Sequence, residues 1–556
     1  MGIPSYFSHI IRTYSNIVRN LRFFKTQSAF RFNHLFMDCN SIVYDAVHTI
    51  EAQVNSGTIS SDSDLDTIII NYVIRKIDEY ISIIQPSTTI YIAFDGVAPF
   101  AKMEQQRTRR YKSNFMSNIQ FSTDVESHAK FAWNTSAITP GTAFMDKLTN
   151  NINYYFKNSE KNYNVTTVIT SCSNEPGEGE HKLYHYIRSN NLINDNIAVY
   201  GLDSDLIMLS IFHLDYCNNI YIFREAPEFL KNSIPIESRG DNDNEPHFLD
   251  IRLLSTSILS NMNCENQCPE RIHDYVFICF LLGNDFLPHF PAMNIRTHGI
   301  NVLLDMYRFY IGNHPDRFLV SCKTGKIYWK NLSLLINEIS KKEHEFLTNE
   351  YFVRDKLDHR KFPETTPAEK EQAFVNAPIL YRQDEKYICP SENNWEDRYY
   401  KILFSTYRKP NTIKPICINY LEGLEWVFRY YTGNCPNWKW KYQHNYPPLF
   451  SDLCKYVPHF DTEFLSAIVT SNSDRPFSPQ VQLSYVLPHS KLNLLPKDIE
   501  RFLKNNYSEL YPEKYDFCWA FCRYLWEAHP ILPEISVDLL EQWDKQFKFW
   551  NADSEK

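Results

Sequence analysis

The chain has 556 residues, 43% hydrophobic and 22% charged, which suits a folded protein with a sizeable core and excludes disorder as the main state. Fourteen Gly against 29 Pro exclude a collagen-like or glycine-linker protein. A net charge of −9 argues against binding nucleic acid by bulk charge, while leaving room for a local basic pocket or an acidic metal site.

Along the chain, the N-terminal MGIPSYFSHIIRTY has His9 and Arg12 inside its apolar stretch, so no secretory signal is expected, and Tyr6 breaks the myristoylation pattern. Short β-like runs follow at 34–40 (HLFMDCN), 89–96 (TIYIAFDG), 165–172 (VTTVITSC), 197–203 (IAVYGLD) and 219–223 (NIYIF). Helical patterns lie between them, as in LDTIIINYVIRKIDEYISII at 65–84. This alternation predicts an α/β fold with a parallel, helix-covered sheet, whose site lies beyond the carboxyl ends of the strands. The stretch ESRGDNDNEPH at 237–247 reads as a solvated loop, because it lacks the Gly and terminal Glu of a calcium loop. YVFICFLL at 275–282 is far short of the ~18 residues needed to span a bilayer and reads as a buried core element. The segment 341–395 is charged and broken by prolines, and reads as a linker or insertion; beyond it, 396–556 is a second compact region rich in Trp and Tyr. Thirteen scattered Cys, an odd number, point to a reducing compartment; Cys264/Cys268 and Cys518/Cys522 lack a second pair at zinc-site spacing.

Seven carboxylates fall at strand ends or in short loops beside apolar runs: Asp38, Asp95, Glu178, Glu180, Asp203, Asp205 and Asp285. So many acids on loops above one sheet cannot all stay ionised without cations. Magnesium, with its preference for carboxylate, water and phosphate oxygens, resolves this, and two ions would suit phosphodiester hydrolysis. In APFAKMEQQRTRRYK, Lys102, Gln106, Arg109 and Arg110 share one helical face, a set that suits a terminal phosphate beside the metals; a solvated basic face is the alternative. Tyr44, Trp438 and Trp440 could stack bases, or could simply pack.

Together these residues resemble the XRN family of 5′→3′ exoribonucleases. The matching stretches are MGIPSYF, MDCNSIVYDAVH, YIAFDGVAPFAKMEQQRTRRYKS, ITPGTAFM, SCSNEPGEGEHKLYHYIR, VYGLDSDLIMLS and FLLGNDFLPH, then YLEGLEWVFRYYTGNCPNWKWKYQHNYPPLFSDL, RPFSPQVQLSYVLP and YLWEAHPILPEI. The resemblance implies a twisted, mostly parallel sheet of the 5′-nuclease (PIN-like) kind in a nuclease domain over 1–340, with the mainly helical 396–556 packed against it and completing the pocket. It implies that the seven acids are catalytic and hold two Mg²⁺, for which Mn²⁺ can substitute. It further implies that Lys102, Gln106, Arg109 and Arg110 bind a 5′-monophosphate, and that Tyr44 and one of Trp438 and Trp440 stack on bases. The family usually has His where Tyr44 stands, and a basic residue is expected where Phe100 stands. The expected activity is processive hydrolysis of 5′-monophosphorylated single-stranded RNA to mononucleotides by a cytoplasmic, monomeric, core-only member, an architecture that would suit a viral or protist source. The alternatives are a flap-type DNA 5′-nuclease and an inactive RNA-binding scaffold.

Overall fold

Runs of β-branched and aromatic residues form the buried centre of a single sheet. The structure is a computed structural model that describes residues 2–60, 63–117, 119, 133–225, 234–235, 238–239, 245–467 and 475–554. Strands β1 (Val18–Arg19), β2 (His34–Asp38), β3 (Thr89–Ala93), β4 (Thr167–Ser171), β5 (Asn196–Tyr200), β6 (Asn219–Arg224) and β7 (His247–Asp250) lie in the order β1-β7-β6-β5-β2-β3-β4. The five central strands β6, β5, β2, β3 and β4 are mutually parallel, and β7 and β1 add an antiparallel edge. All five of the runs read as strands are strands. The two edge strands went unread, β1 because two residues carry no pattern and β7 because it follows the polar loop at 237–247. Glu237 and residues 240–244 of that loop lie outside the described residues.

Both faces of the sheet are covered, which is why its strands are apolar throughout rather than alternating. Leu35 and Met37 face the helices Asn40–Asn55 and Leu65–Ile84, whereas Phe36 faces Gly179–Ser189 and Asp205–Phe212. The Leu65–Ile84 helix starts where the Asp64 side chain accepts from Thr67 N and stops at Gln85 in the left-handed conformation. The chain runs outward from β2 to β3 to β4, then returns to place β5 on the other side of β2. That reversal opens a crevice beyond the carboxyl ends of β2 and β5. Asp38 ends β2, and Asp203 follows β5 by three residues.

The packing does not break at 340 or 395. One continuous apolar core runs from Ile3 in the first segment through Leu335, Leu347, Ile388 and Trp395 to Trp426 and Phe521. The expectation of a linker at 341–395 is corrected. This segment forms helices at Glu343–Asp358, Pro367–Val375, Ala377–Leu380 and Gln383–Ile388, one of them opened by a Thr366/Glu369 capping box. Its anchors are buried charges. Glu385, 1% exposed, accepts from Arg354 Nε at 2.8 Å, Arg382 Nε at 2.6 Å and Phe521 N at 2.8 Å. Charges that bury themselves against one another leave the polar pattern of a linker in the sequence, which is why the segment misleads.

A second buried carboxylate gives a stability prediction. Asp274 Oδ1 accepts from Leu319 N and Val320 N, and Oδ2 accepts from Tyr307 Oη. Burial outweighs these bonds and lifts its pKa from 3.8 to about 7. The folded state therefore keeps a proton that the unfolded state has lost, and Asp274 takes stability away as pH rises from about 4 to about 7. Asp274→Asn keeps an acceptor for the two amides and removes that slope. The melting temperature of this variant relative to the parent should rise across the interval, and a constant difference would refute the assignment.

Among the described residues no helix is long and apolar enough to cross a membrane, and all thirteen cysteines are free.

Candidate active site

The seven predicted acids come together. Asp38 ends β2, Asp95 follows β3, and after β4 Glu178 stands at the N-cap and Glu180 in the first turn of the Gly179–Ser189 helix; Asp203 and Asp205 follow β5, with Asp205 opening the Asp205–Phe212 helix. Asp285 arrives from outside the sheet, after the buried helix Arg271–Cys279 and a turn of 3-10 helix at Phe280–Leu282. Gly179 allows the closest approach. Its amide donates to Asp95 Oδ1 at 2.7 Å, and a Cβ there would lie 2.6 Å from Asp38 Oδ1, so no larger residue fits between the two acids. Asn40 braces Asp95 from the other side: its Nδ2 donates to Asp95 Oδ2, and its Oδ1 accepts from Asp95 N at 3.2 Å. Glu178 occupies a helix N-cap position, yet its side chain makes no capping bond and points into the cluster instead.

Lys102 is the internal counter-charge. Its Nζ lies 2.6 Å from Glu178 Oε2 and 2.8 Å from Asp285 Oδ2. Burial would strip its proton, but Asp285, Glu178 and Glu180 hold its pKa well above the ordinary lysine value. Against the opposing effect of burial, Lys102 and Arg109 hold Asp285 below the ordinary carboxylate range. Asp203 is lowered too, with burial opposing and Lys102 helping. The remaining acids have less relief. Burial, with Asp95 and Asp203 adding to it, raises Asp38 well above its ordinary value. Burial likewise raises Glu180, with Asp205, Glu178 and Asp203 adding to it. Burial raises Glu178 against the pull of Lys102, and lifts Asp205 to about 7.

Among the described residues no three Asp, Glu, His or Cys side chains are set to hold an ion as they stand. Lys102 fills the space between two of the acids. The donor set nevertheless fits hard cations. Asp38 Oδ1, Glu180 Oε2 and Asp205 Oδ1 are buried with no hydrogen-bond donor among the described residues, and a buried carboxylate oxygen without a donor is costly unless a cation answers it.

The basic helix Phe100–Ser117 runs beside the acids. Arg109 Nη2 lies 3.7 Å from Asp285 Oδ2. Arg110 donates to the Thr139 hydroxyl and to Ile138 O at 3.4 Å. Gln106 Oε1 accepts from Gln482 Nε2 at 3.1 Å, which leaves its amide hydrogens for another acceptor. Arg109 Nε and Nη2 and Arg110 Nε are buried with no acceptor within hydrogen-bond distance among the described residues. Guanidinium donors held in this way suit an anion. Tyr44 is 39% exposed and close enough to Arg110 to act on its charge.

The second region supplies residues that sequence reasoning missed. On the helix Pro410–Thr432, Tyr430 Oη donates to Glu178 Oε1 at 2.8 Å and stacks on His181 with ring centroids 3.6 Å apart. Tyr431, 1% exposed, stands close enough to Asp205 for that carboxylate to raise its phenol pKa beyond what burial does. Their signal is the pair of adjacent tyrosines in VFRYYTG, inside the longest stretch that carries the resemblance. Trp440 needs correcting. It is 5% exposed and stacked on Trp426, with the Gly423 backbone at its Cη2 edge, so almost none of its ring is open to a base. Trp438 is half-buried, and its carbonyl accepts from Phe100 N at 2.9 Å, which sets it at the start of the basic helix. Phe100 itself, where a basic residue was expected, is buried against Tyr485 with the Lys441 ammonium over its ring.

Known proteins resemble the chain along nearly its whole length. The family model described as the XRN 5′-3′ exonuclease N-terminus matches residues 1–226, and the Xrn1 helical domain matches 267–392 and 381–549. The chain is 25% identical to the 5′-3′ exoribonuclease 2 of Gallus gallus, over 96% of this chain and 68% of that protein. It is 25% identical to the 5′-3′ exoribonuclease 1 of Saccharomyces cerevisiae, over 89% of this chain but only 40% of that longer protein. With the 5′-3′ exoribonuclease 2 of Candida albicans the figures are 24% identity, 100% and 73%.

Proposed function

The chain belongs to the XRN 5′→3′ exonuclease family and is a hydrolytic 5′→3′ exoribonuclease, and we propose that it degrades single-stranded RNA bearing a 5′-monophosphate, processively and to mononucleotides. The cofactor of such a nuclease is a divalent metal ion; a pair of Mg²⁺ ions, replaceable by Mn²⁺, is our reading of seven acids in one crevice. The observation that carries it is the pairing of two sets side by side that are unsatisfied among the described residues: carboxylate oxygens without donors, and guanidinium hydrogens without acceptors. We read the protein as a monomer working in the reducing cytoplasm, in keeping with its free cysteines.

Bound cations would lower the pKa of a water and offset charge on the leaving 3′-oxygen. The chain does the rest. Asp38, Asp95, Glu178, Glu180, Asp203, Asp205 and Asp285 would hold the ions, with Asn40 and Tyr430 fixing how Asp95 and Glu178 point. Arg109, Arg110 and Gln106 grip the terminal phosphate, and Lys102 bridges this grip to the acids. That fixes the first phosphodiester, and no other, at the carboxylates. Tyr44 stacks on the first base and Trp438 is the remaining candidate for a second stack. A DNA flap nuclease or an inactive scaffold, the alternatives raised by the sequence, has no observation in its favour.

The test is one incubation of RNA and DNA, each with a 5′-phosphate or 5′-hydroxyl, in magnesium or chelator. Only 5′-phosphorylated RNA in magnesium should yield mononucleotides rapidly. Tyr44→Ala should weaken RNA engagement by the ~1–3 kcal/mol of a lost stack, with Tyr44→His mild. Parent-like degradation by Tyr44→Ala would make Tyr44 a packing residue only.

A further inference from the structure

A cavity of about 1210 Å³ reaches the acids from another side of the basic helix. Asp203 and Asp285 lie in its wall. From the helix it takes Gln105 and Lys112, not Lys102, Gln106, Arg109 or Arg110. Those two sets occupy neighbouring strips of the helix, and Arg109 stands at the seam, close to Asp285. The molecule thus has two approaches to one set of carboxylates.

The far wall of the cavity has a different chemistry. Tyr524 and Trp526 stack there with centroids 4.3 Å apart and planes 19° off parallel. Arg523 lies over Tyr524 at 4.6 Å, while Trp526 is 52% exposed and makes no other ring contact among the described residues. Lys112 Nζ donates to the carbonyl of Trp526, which sets an ammonium beside the exposed indole. Arg12 adds positive charge, while Arg296 is paired with Glu527 at 2.5 Å in the same wall. An exposed indole with cations around it suits a nucleobase carrying a phosphate, whatever the base.

This inference rests on the exonuclease reading above. Each cleavage leaves a nucleoside 5′-monophosphate in the pocket that the next 5′-phosphate has to enter. RNA threaded over Tyr44 blocks the way the substrate came. A processive enzyme then needs another way out for the nucleotide. We propose that the cavity is a separate nucleotide-binding chamber that receives the released nucleoside 5′-monophosphate, with the base on Trp526 and the phosphate near Lys112 and Arg12. Its volume exceeds the ~300–1,000 Å³ of ordinary ligand pockets, so a mononucleotide can turn and leave.

The test uses the full chain with chelator, so that 5′-phosphorylated RNA binds without being cut. AMP is titrated by calorimetry into the protein already saturated with that RNA. AMP should still bind, about tenfold more weakly in Trp526→Ala, with Trp526→Phe close to the parent. In magnesium, Trp526→Ala should leave the first cleavage of each RNA unchanged and slow the later ones severalfold. Loss of AMP binding once RNA is present would overturn the chamber, because the two would then share one pocket. Weaker RNA binding in Trp526→Ala with AMP binding unchanged would overturn it too, making the cavity the RNA entrance. If the parent in magnesium releases no mononucleotides, the exonuclease reading fails first, and that control separates the two failures.

Discussion

Asp205→Ala should lower the rate of RNA hydrolysis by on the order of 10²-fold or more, by removing a cation ligand and the charge stabilisation that goes with it. Asp205 is 2% exposed, its Oδ1 has no donor among the described residues, and the buried Tyr431 stands beside it. The loss should not come from unfolding. Burial, with Asp285 and Asp203 adding to it, lifts the Asp205 pKa from 3.8 to about 7. A carboxyl raised in this way costs stability as pH climbs from about 4 through about 7, because the folded state then has to give up a proton it holds better than the unfolded chain does. Without metal at about pH 8, Asp205→Ala should therefore melt no lower than the parent. Magnesium should raise the melting temperature of the parent more than that of the variant. Near-parental turnover in magnesium would sink the assignment of Asp205 to the metal site. A melting temperature several degrees lower at pH 8 would instead make it a structural residue.

The second large effect is selectivity for the 5′ end. Buried guanidinium hydrogens on Arg109 and Arg110 lack acceptors among the described residues, and the Gln106 amide is held by Gln482 with its own hydrogens still to place. A terminal phosphate answers these donors with charge-assisted bonds worth roughly 1.5–3 kcal/mol each, and a 5′-hydroxyl answers none of them. A triphosphate or cap adds bulk between the basic helix and the Thr139 loop that Arg110 already grips. RNA with a 5′-monophosphate should therefore be degraded well, and 5′-hydroxyl, triphosphate and capped RNA poorly. The double variant Arg109→Ala, Arg110→Ala should lose the preference for monophosphate over hydroxyl, mainly by slowing the monophosphate substrate by ~10²-fold or more. Competition assays with end-labelled RNAs of one sequence read this directly. Equal degradation of all four ends by the parent, or cleavage of a circular RNA as the main activity, would refute the pocket. The pair should fold normally, because Arg107, not Arg109 or Arg110, ties this helix to the second region through Pro533 O and Leu510 O.

The sequence by itself determined the parallel centre of the sheet. Strands buried on both faces have to be apolar along their whole length, and they show as runs that local pattern can find. It also pointed to the seven acids that the fold gathers in one crevice, since each stands at or beside such a run, and the carboxyl ends of parallel strands point the same way. Only the tertiary structure decided what surrounds those acids. Lys102 reads as one more residue on a basic face, yet 183 residues of chain separate it from the Asp285 carboxylate it bonds. Tyr430 meets Glu178 across 252 residues, which no local spacing encodes. Trp438 and Trp440 stand two residues apart in one Pro-bounded stretch, and only the packing of Trp440 on Trp426 separates a candidate stacking ring from a core ring. The segment 341–395 looks like a linker because its anchors, Arg354, Arg382 and Glu385, are charged, and a charge has no pattern that says whether it is solvated or paired in the dark. Local pattern reports whether a residue prefers water, whereas the partner that makes a buried charge tolerable comes from a distant part of the chain and exists only once the fold has formed.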